Sequence, residues 1–310
     1  MRLLVPASSL NDAKELLKNG ADDIYVGSTS DLFNNYSFNG RACFSKEGKR
    51  ILPDFDELKK ICNYVHSYGG YVYFLANIPI VNENSQVFYD KFMTYIDHGI
   101  DAGADYVILG NITTIKWVKN KYPNIKIVVS SYLEVQNELT LKMFEEIGVS
   151  QIILSYQCSL NEIEELTARS KVQIEVFGHG GCSFYVGSCN MFHEMGEKLK
   201  IGYPCRAMYS IIDDNGNTQQ NRCLDSFKMC SLCKIKELEE YGVHSLKIVG
   251  RDLPSNYILE IVKIYSKGLE LYRMGKKFPK ESLPKWWLKS WCEAGTLCRY
   301  GGDFYEHNKS

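Results

Sequence analysis

Short apolar runs and longer amphipathic stretches take turns along this chain. The runs are RLLVPA (2–7), DDIYVG (22–27), YVYFLA (71–76), DYVILG (105–110), IKIVVSS (125–131), QIILS (151–155), VQIEVF (172–177) and HSLKIVG (244–250). Each is short, rich in β-branched and aromatic side chains, and bounded by glycine or polar residues. That is the pattern of a strand buried on both faces. Between the runs, apolar positions return at three- and four-residue intervals, as with Leu58, Ile61 and Val65 in DFDELKKICNYVHSYGG. This predicts helices that pack by one face. The boundary signals agree: Ser9 or Asn11 can cap the first helix, Gly20 ends it, and Ser159 stands three residues before Glu162 as a capping box. Strand and helix repeat at roughly 25 to 30 residues, the length of a βα unit. Eight such strands predict an α/β fold, a (β/α)8 TIM-type barrel; a doubly wound sheet produces the same strings and is the runner-up. The barrel domain is expected over residues 1–275 and an aromatic tail over 276–310.

In a barrel the functional site gathers at the C-terminal ends of the strands. That rule selects Ser28, Asn77, Gly110, Asn111, Ser131 and Tyr132. Ser28, Asn77, Ser131 and Tyr132 are taken as the substrate-binding candidates. Any one of them is equally what an ordinary loop carries; the argument lies in separate strands delivering polar groups to one face.

The seventh and eighth strands are separated by a long segment, 178–246, which exceeds an ordinary βα connection. Within it DNGN marks a hairpin turn and KIKELEEYGV a helix. The stretch from Lys171 to Arg251 holds six of the eleven cysteines: Cys182, Cys189, Cys205, Cys223, Cys230 and Cys233. An odd count, with no secretory signal, argues against a disulfide framework. Cys62 and Cys158 lie in apolar runs and read as small core residues. The clustered six call for a metal. Cys182, Cys189 and Cys205 with one of Cys223, Cys230 or Cys233 would hold a [4Fe–4S] cluster. Zinc is the alternative, with Cys230 and Cys233 as a CxxC completed by Cys223 or Cys205.

Three further residues flank these thiols. His179 is the acid–base candidate, since imidazole titrates near neutrality. Arg251 would pair with a carboxylate or phosphate as a fork, or form an ion pair at the rim. Glu175 would either face the barrel top or pair with a lysine such as Lys247.

The stretch resembles the peptidase U32 family. The resemblance rests on Glu175-Val176-Phe177, His179-Gly180, Cys182 and Cys189, Pro204-Cys205-Arg206, and Lys247-Ile248-Val249-Gly250-Arg251, where the family usually has KIEGR. The loop between the His-Gly pair and Cys182 is one residue shorter than is common in the family. The resemblance implies a barrel, and a [4Fe–4S] cluster held by Cys182, Cys189, Cys205 and Cys230. For activity it implies oxygen-independent hydroxylation of a small aromatic molecule or of a base in tRNA or rRNA, with prephenate as the oxygen donor in some members. It also leaves open a peptidase, with Cys182 and His179 as nucleophile and base, or a non-catalytic partner subunit of a hydroxylase. A paired U32 subunit or a homodimer is the partner it suggests. HExxH is absent: His193-Glu194 runs into Met-Gly-Glu.

Composition adds little. The formal net charge of −1 gives no global field for nucleic acid. Lys285, Lys289 and Arg299, interleaved with Trp286, Trp287, Trp291 and Tyr300, would grip and stack on RNA, or form an aromatic clasp over the helices. With no apolar run long enough to span a bilayer and no leader pattern, a cytoplasmic protein is expected.

Overall fold

The structure is a computed structural model that describes residues 1–29, 43–44, 50–78, 81–180, 207–224, 229–250, 253–287, 289–295 and 297–300. Eight strands form its centre: β1 (Arg2–Pro6), β2 (Asp23–Val26), β3 (Val72–Leu75), β4 (Tyr106–Leu109), β5 (Lys126–Val129), β6 (Gln151–Ile153), β7 (Gln173–His179) and β8 (Ser245–Ile248). All pair in parallel, each with its sequence neighbour, and β8 returns to β1 to close the barrel. The closed ring settles between the two expected topologies: it is the TIM-type barrel.

The helices follow where the apolar stripes predict. They are α1 (Leu10–Lys18), α2 (Phe55–Ser67), α3 (Gln86–Asp101), α4 (Ile112–Lys121), α5 (Glu138–Ile147), α6 (Leu160–Arg169), α7 (Ile235–Glu240) and α8 (Ser255–Arg273). Local chemistry fixes their starts. Ser9 caps α1 by accepting from the Asp12 N–H, and Ser159 and Glu162 form a reciprocal capping box on α6. Leu58, Ile61, Cys62 and Val65 of α2 are all buried. Burial pushes the thiols of Cys62 and Cys158 up to about 12, in keeping with their reading as core residues.

Strand alternation divides the apolar residues into two sets. Leu3, Val5, Ile24, Val107 and their equivalents pack outward against the helices. Leu4, Tyr25, Tyr73, Leu75, Tyr106, Ile108, Val128, Ile153 and Phe177 fill the lumen as a separate cluster. Tyr73 and Tyr106 stack there with ring centroids 4.3 Å apart. The barrel is therefore plugged, and ligands are confined to its ends.

Between β7 and β8 the described part of the long segment contains the expected hairpin, Tyr209–Ile212 against Thr218–Asn221, and then α7. Residues 229–231 return to the barrel: the Gly180 N–H donates to the Met229 carbonyl and the Ser231 N–H to that of Gly178. The C-terminal tail adds the next layer. The N–H groups of Met229 and Cys230 both donate to the Leu297 carbonyl, and that of Arg299 to the Cys230 carbonyl. Thus residues 297–299 lie beside the C-terminal end of β7.

Candidate active site

The end of the barrel from which β7 emerges gathers the residues of interest. Its floor is a buried polar network. Glu175 of β7 and Lys247 of β8 both point into the lumen and pair at 3.0 Å. Ser245 donates to the second Glu175 oxygen at 3.1 Å, and Gln151 donates to the same oxygen while accepting from Tyr73. The Lys247 ammonium also lies 4.5 Å from the Tyr25 ring centroid. The charges answer each other, as buried charges must. Of the two readings of Glu175, the structure shows the one with Lys247 as partner.

Above this floor the strand ends carry Asn77 after β3, Gly110 after β4, residues 130–134 after β5, and Tyr156 after β6. Asn77 is buried, and its side-chain oxygen has no hydrogen-bond partner among the described residues. Gly110 makes room for it, since a Cβ at that position would stand 3.1 Å from that oxygen and 3.0 Å from the Tyr132 ring. Ser131 and Tyr132 belong to a single 3-10 turn, Ser131–Leu133, with Tyr132 buried. Glu134 follows in the left-handed region at φ 44°, the only non-glycine residue to do so among those described. Burial raises its carboxyl above the ordinary range. Sequence reading missed Glu134, because nothing in SSYLEVQ marks a positive φ.

Two candidates turn out to brace the scaffold. The Ser28 hydroxyl donates to the Pro53 carbonyl at 2.7 Å, and its N–H donates to the Tyr95 hydroxyl at 3.1 Å. Its polar atoms are thereby engaged within the protein. Asn111 accepts from the Thr113 N–H as the N-cap of α4.

His179 leaves the expected position for a definite reason. Register between β7 and β8 shifts so that Lys247 pairs with Phe177 but Ile248 pairs with His179, skipping Gly178. This bulge reverses the alternation, and His179 faces outward. Its ring packs 4.5 Å from that of Trp287 and 5.6 Å from that of Tyr265 on α8, beside a cavity of about 160 Å³ that Tyr257 and Trp286 also line. Burial, and secondarily Arg299, depress its imidazole to about 3. So placed, His179 packs against Tyr265 and Trp287 and not into the lumen beside Phe177. The glycines on either side of His179 were the available signal for a bulge.

Cys230 is buried at the same end, beside His179 and with its sulfur 3.7 Å from the Tyr265 hydroxyl. Burial pushes its thiol up to about 11. Cys298 of the tail pairs directly with it through the backbone, and burial also raises the thiols of Cys233 and Cys298. Cys62, Cys158, Cys223, Cys230, Cys233, Cys292 and Cys298 are free, and no group of three or more ligand side chains among the described residues has metal-holding geometry. Cys182, Cys189, Cys205 and Arg251 lie outside the described residues. Of the four cysteines that the resemblance implies as cluster ligands, Cys230 alone lies among the described residues.

The tail contributes what sequence reading assigned elsewhere. Trp287 is buried and Trp286 packs on Tyr257 at 5.1 Å, forming a clasp against α8. Arg299, grouped in the sequence with RNA-gripping residues, is buried instead, with its Cζ 3.9 Å from the Tyr156 ring centroid. A lone arginine between cysteine and tyrosine carries no sign of this.

Residues 8–291 match the family model described as Peptidase family U32. The chain is 25% identical over 286 residues to tRNA hydroxylation protein P1 of Bacillus subtilis, covering 87% of this chain and 63% of that protein. It is 24% identical to the 23S rRNA 5-hydroxycytidine synthase of Escherichia coli, over 87% of this chain and 39% of the relative. It is 27% identical to an uncharacterised protease of Methanocaldococcus jannaschii, over 90% of this chain and 68% of the relative. A solved U32 peptidase has the same fold, with a TM-score of 0.52 at 14% identity over 80% of this chain and 92% of that one. Among the described residues no helix is long and apolar enough to cross a membrane.

Proposed function

Because the chain belongs to peptidase family U32, we propose that it takes part in hydroxylating a base of tRNA or rRNA, without molecular oxygen, in the cytoplasm. The observation that carries this reading is the similarity, over most of the chain, to proteins described by tRNA hydroxylation and by rRNA 5-hydroxycytidine synthesis. A base can be worked on only when it leaves its stack, and Tyr132 and Asn77 at the strand ends would supply a ring and a polar edge to an extruded base. A [4Fe–4S] cluster held by Cys182, Cys189, Cys205 and Cys230 belongs to the same proposal. When bound, it would supply one-electron chemistry at the protein's edge. The chain's own residues would bind and orient the base, with the Glu175–Lys247 pair holding the floor rigid.

A peptidase is the second reading, favoured by the resemblance to the archaeal protein. Burial that lowers the basicity of His179 weakens it, since a cysteine nucleophile needs an effective base. A paired U32 subunit or a homodimer remains part of the first reading.

The test is nucleoside mass spectrometry of tRNA and rRNA from a deletion strain and its complemented parent. One nucleoside should lose the mass of an oxygen atom in the deletion and regain it on complementation. Protein purified anaerobically should contain about four iron and four sulfide per chain. An unchanged nucleoside profile in both RNA classes, with peptide hydrolysis by the purified protein, would favour the peptidase.

A further inference from the structure

A groove on the outside of the barrel is walled by cations. Helix α8 forms one wall, where Lys263 and Lys267 stand about one turn apart and are both exposed. Gly275, at φ 70°, ends the helix and turns the chain back. The returning chain forms the other wall with Lys276 and Lys277, also exposed. The space between them is about 520 Å³. Ile264 and Phe278 line it from below, half-buried and packed on the core. The Phe278 ring lies over Gly268 of α8, 3.8 Å from where a Cβ would stand, so it is held against the helix. Lys263 pairs with Glu260 and Lys267 with Glu270, each at 2.8 Å; exposed pairs of this kind are weak. Lys276 and Lys277 have no acidic partner among the described residues. From 276 to 285 the chain carries Lys276, Lys277, Lys280 and Lys285 against a single carboxylate, Glu281. This face is therefore positive on a chain whose formal net charge is −1.

Two rows of cations track a polyanion, and the ring between them offers a face for stacking. That combination suits a single-stranded nucleic acid, whose phosphates meet the lysines while an unpaired base lies on the aromatic ring. A duplex keeps its bases stacked inside and has no free face for Phe278. An acidic peptide would answer the charges alone; the ring below them is what favours a base. The position agrees. Helix α8 starts at the barrel end where β8 emerges, and Lys263 and Lys267 lie about 12 and 18 Å along it from Ser255. A strand whose target base enters the mouth can thus lay neighbouring nucleotides along the helix. We infer that this groove docks an unpaired stretch of the substrate RNA beside the target base. The inference rests on the hydroxylation reading for its ligand, and the groove itself takes no part in the chemistry.

The test reads binding without turnover. Full-length protein, purified anaerobically, is titrated against a short fluorescein-labelled oligouridine by fluorescence anisotropy over a range of salt concentrations. An RNA duplex of the same length and polyglutamate serve as competitors. The variants are Lys276→Gln with Lys277→Gln, Phe278→Leu and, as a matched exposed pair on α2, Lys59→Gln with Lys60→Gln, each checked for folding by circular dichroism. Loss of two phosphate contacts should weaken binding about tenfold and reduce the slope of log K against log salt by about 1.4, at about 0.7 per contact for a single strand. Phe278→Leu should weaken binding and leave that slope unchanged. The α2 pair should bind as wild type does. Wild-type affinity and slope in the folded Lys276, Lys277 variant would overturn the inference. So would competition by the duplex or by polyglutamate as effective as that by unlabelled oligouridine. If Phe278→Leu does not fold, the lysine variant, changed only at the surface, carries the comparison. The two readings fail separately. A deletion strain that loses a hydroxylated nucleoside, while the lysine variant binds RNA normally, sinks the groove and keeps the hydroxylation. RNA bound through the groove with an unchanged nucleoside profile does the reverse.

Discussion

Glu175 and Lys247 sit with their charges inside the barrel, and neither can be removed alone without stranding the other. Glu175→Ala should lower unfolding free energy by about 3–5 kcal/mol in urea denaturation, and Lys247→Ala by a similar amount. Replacing the pair together by Gln and Met should cost much less, because no charge is left uncompensated. Additive losses in the double variant would show that the two do not act as a pair. His179 makes a different claim. Its folded imidazole is depressed to about 3, first by burial and then by Arg299, whereas the unfolded chain takes up that proton near the ordinary value of ~6.5. The unfolded state therefore binds more protons below that value. This contribution to stability is intact above ~6.5 and is lost as pH falls toward the folded value, by up to ~1.4 kcal/mol per pH unit. His179→Phe should flatten this part of the profile. Denaturation midpoints between about pH 7 and about pH 4 would read it, and an unchanged slope in the variant would refute the assignment.

At the scale of elements, the turn after β5 is the strained one. Glu134 closes the turn Ser131–Leu133 in the left-handed region, where a side chain costs roughly 1–2 kcal/mol relative to glycine. Glu134→Gly should therefore raise the thermal midpoint, by an amount equivalent to about 1 kcal/mol, whereas Glu134→Val should lower it. If the strained carboxylate is retained for work at the mouth, the more stable glycine variant should also lose hydroxylated nucleoside in the complementation assay. Stability gained with full activity would make Glu134 a feature of the loop alone. The tail is the other informative element: three backbone hydrogen bonds tie residues 297–299 to residues 229–230. That pairing carries Arg299 to the mouth and Cys298 beside Cys230.

For the molecule as a whole, the proposed cluster would tie Cys230 to Cys182, Cys189 and Cys205 of the long segment. Cys230→Ser should reduce iron content as fully as Cys182→Ser, Cys189→Ser or Cys205→Ser. The Cys292→Ser, Cys298→Ser double variant should keep its iron, since these thiols stand outside the set that the resemblance implies. Iron analysis of anaerobic preparations separates the cases. Loss of iron in the double variant would move the centre toward the tail, where Cys298 pairs with Cys230 through the backbone.

The sequence by itself determined the eight strands, their helices, and the caps at Ser9 and Ser159, because these depend on local periodicity and on short-range hydrogen bonds. It also located the end of the barrel where Asn77 and Tyr132 meet, since a parallel barrel sends every strand end to one face. Ring closure, which separated the barrel from a doubly wound sheet, needed pairing of β8 with β1 across nearly the whole chain. The outward turn of His179 depended on a one-residue register shift against β8, to which strand alternation within β7 is blind. The burial of Arg299 depended on the tail pairing with residues 229–230, a contact between segments far apart in sequence. Periodicity reports what a residue does relative to its own element; which side chains share a pocket is settled only when the elements dock.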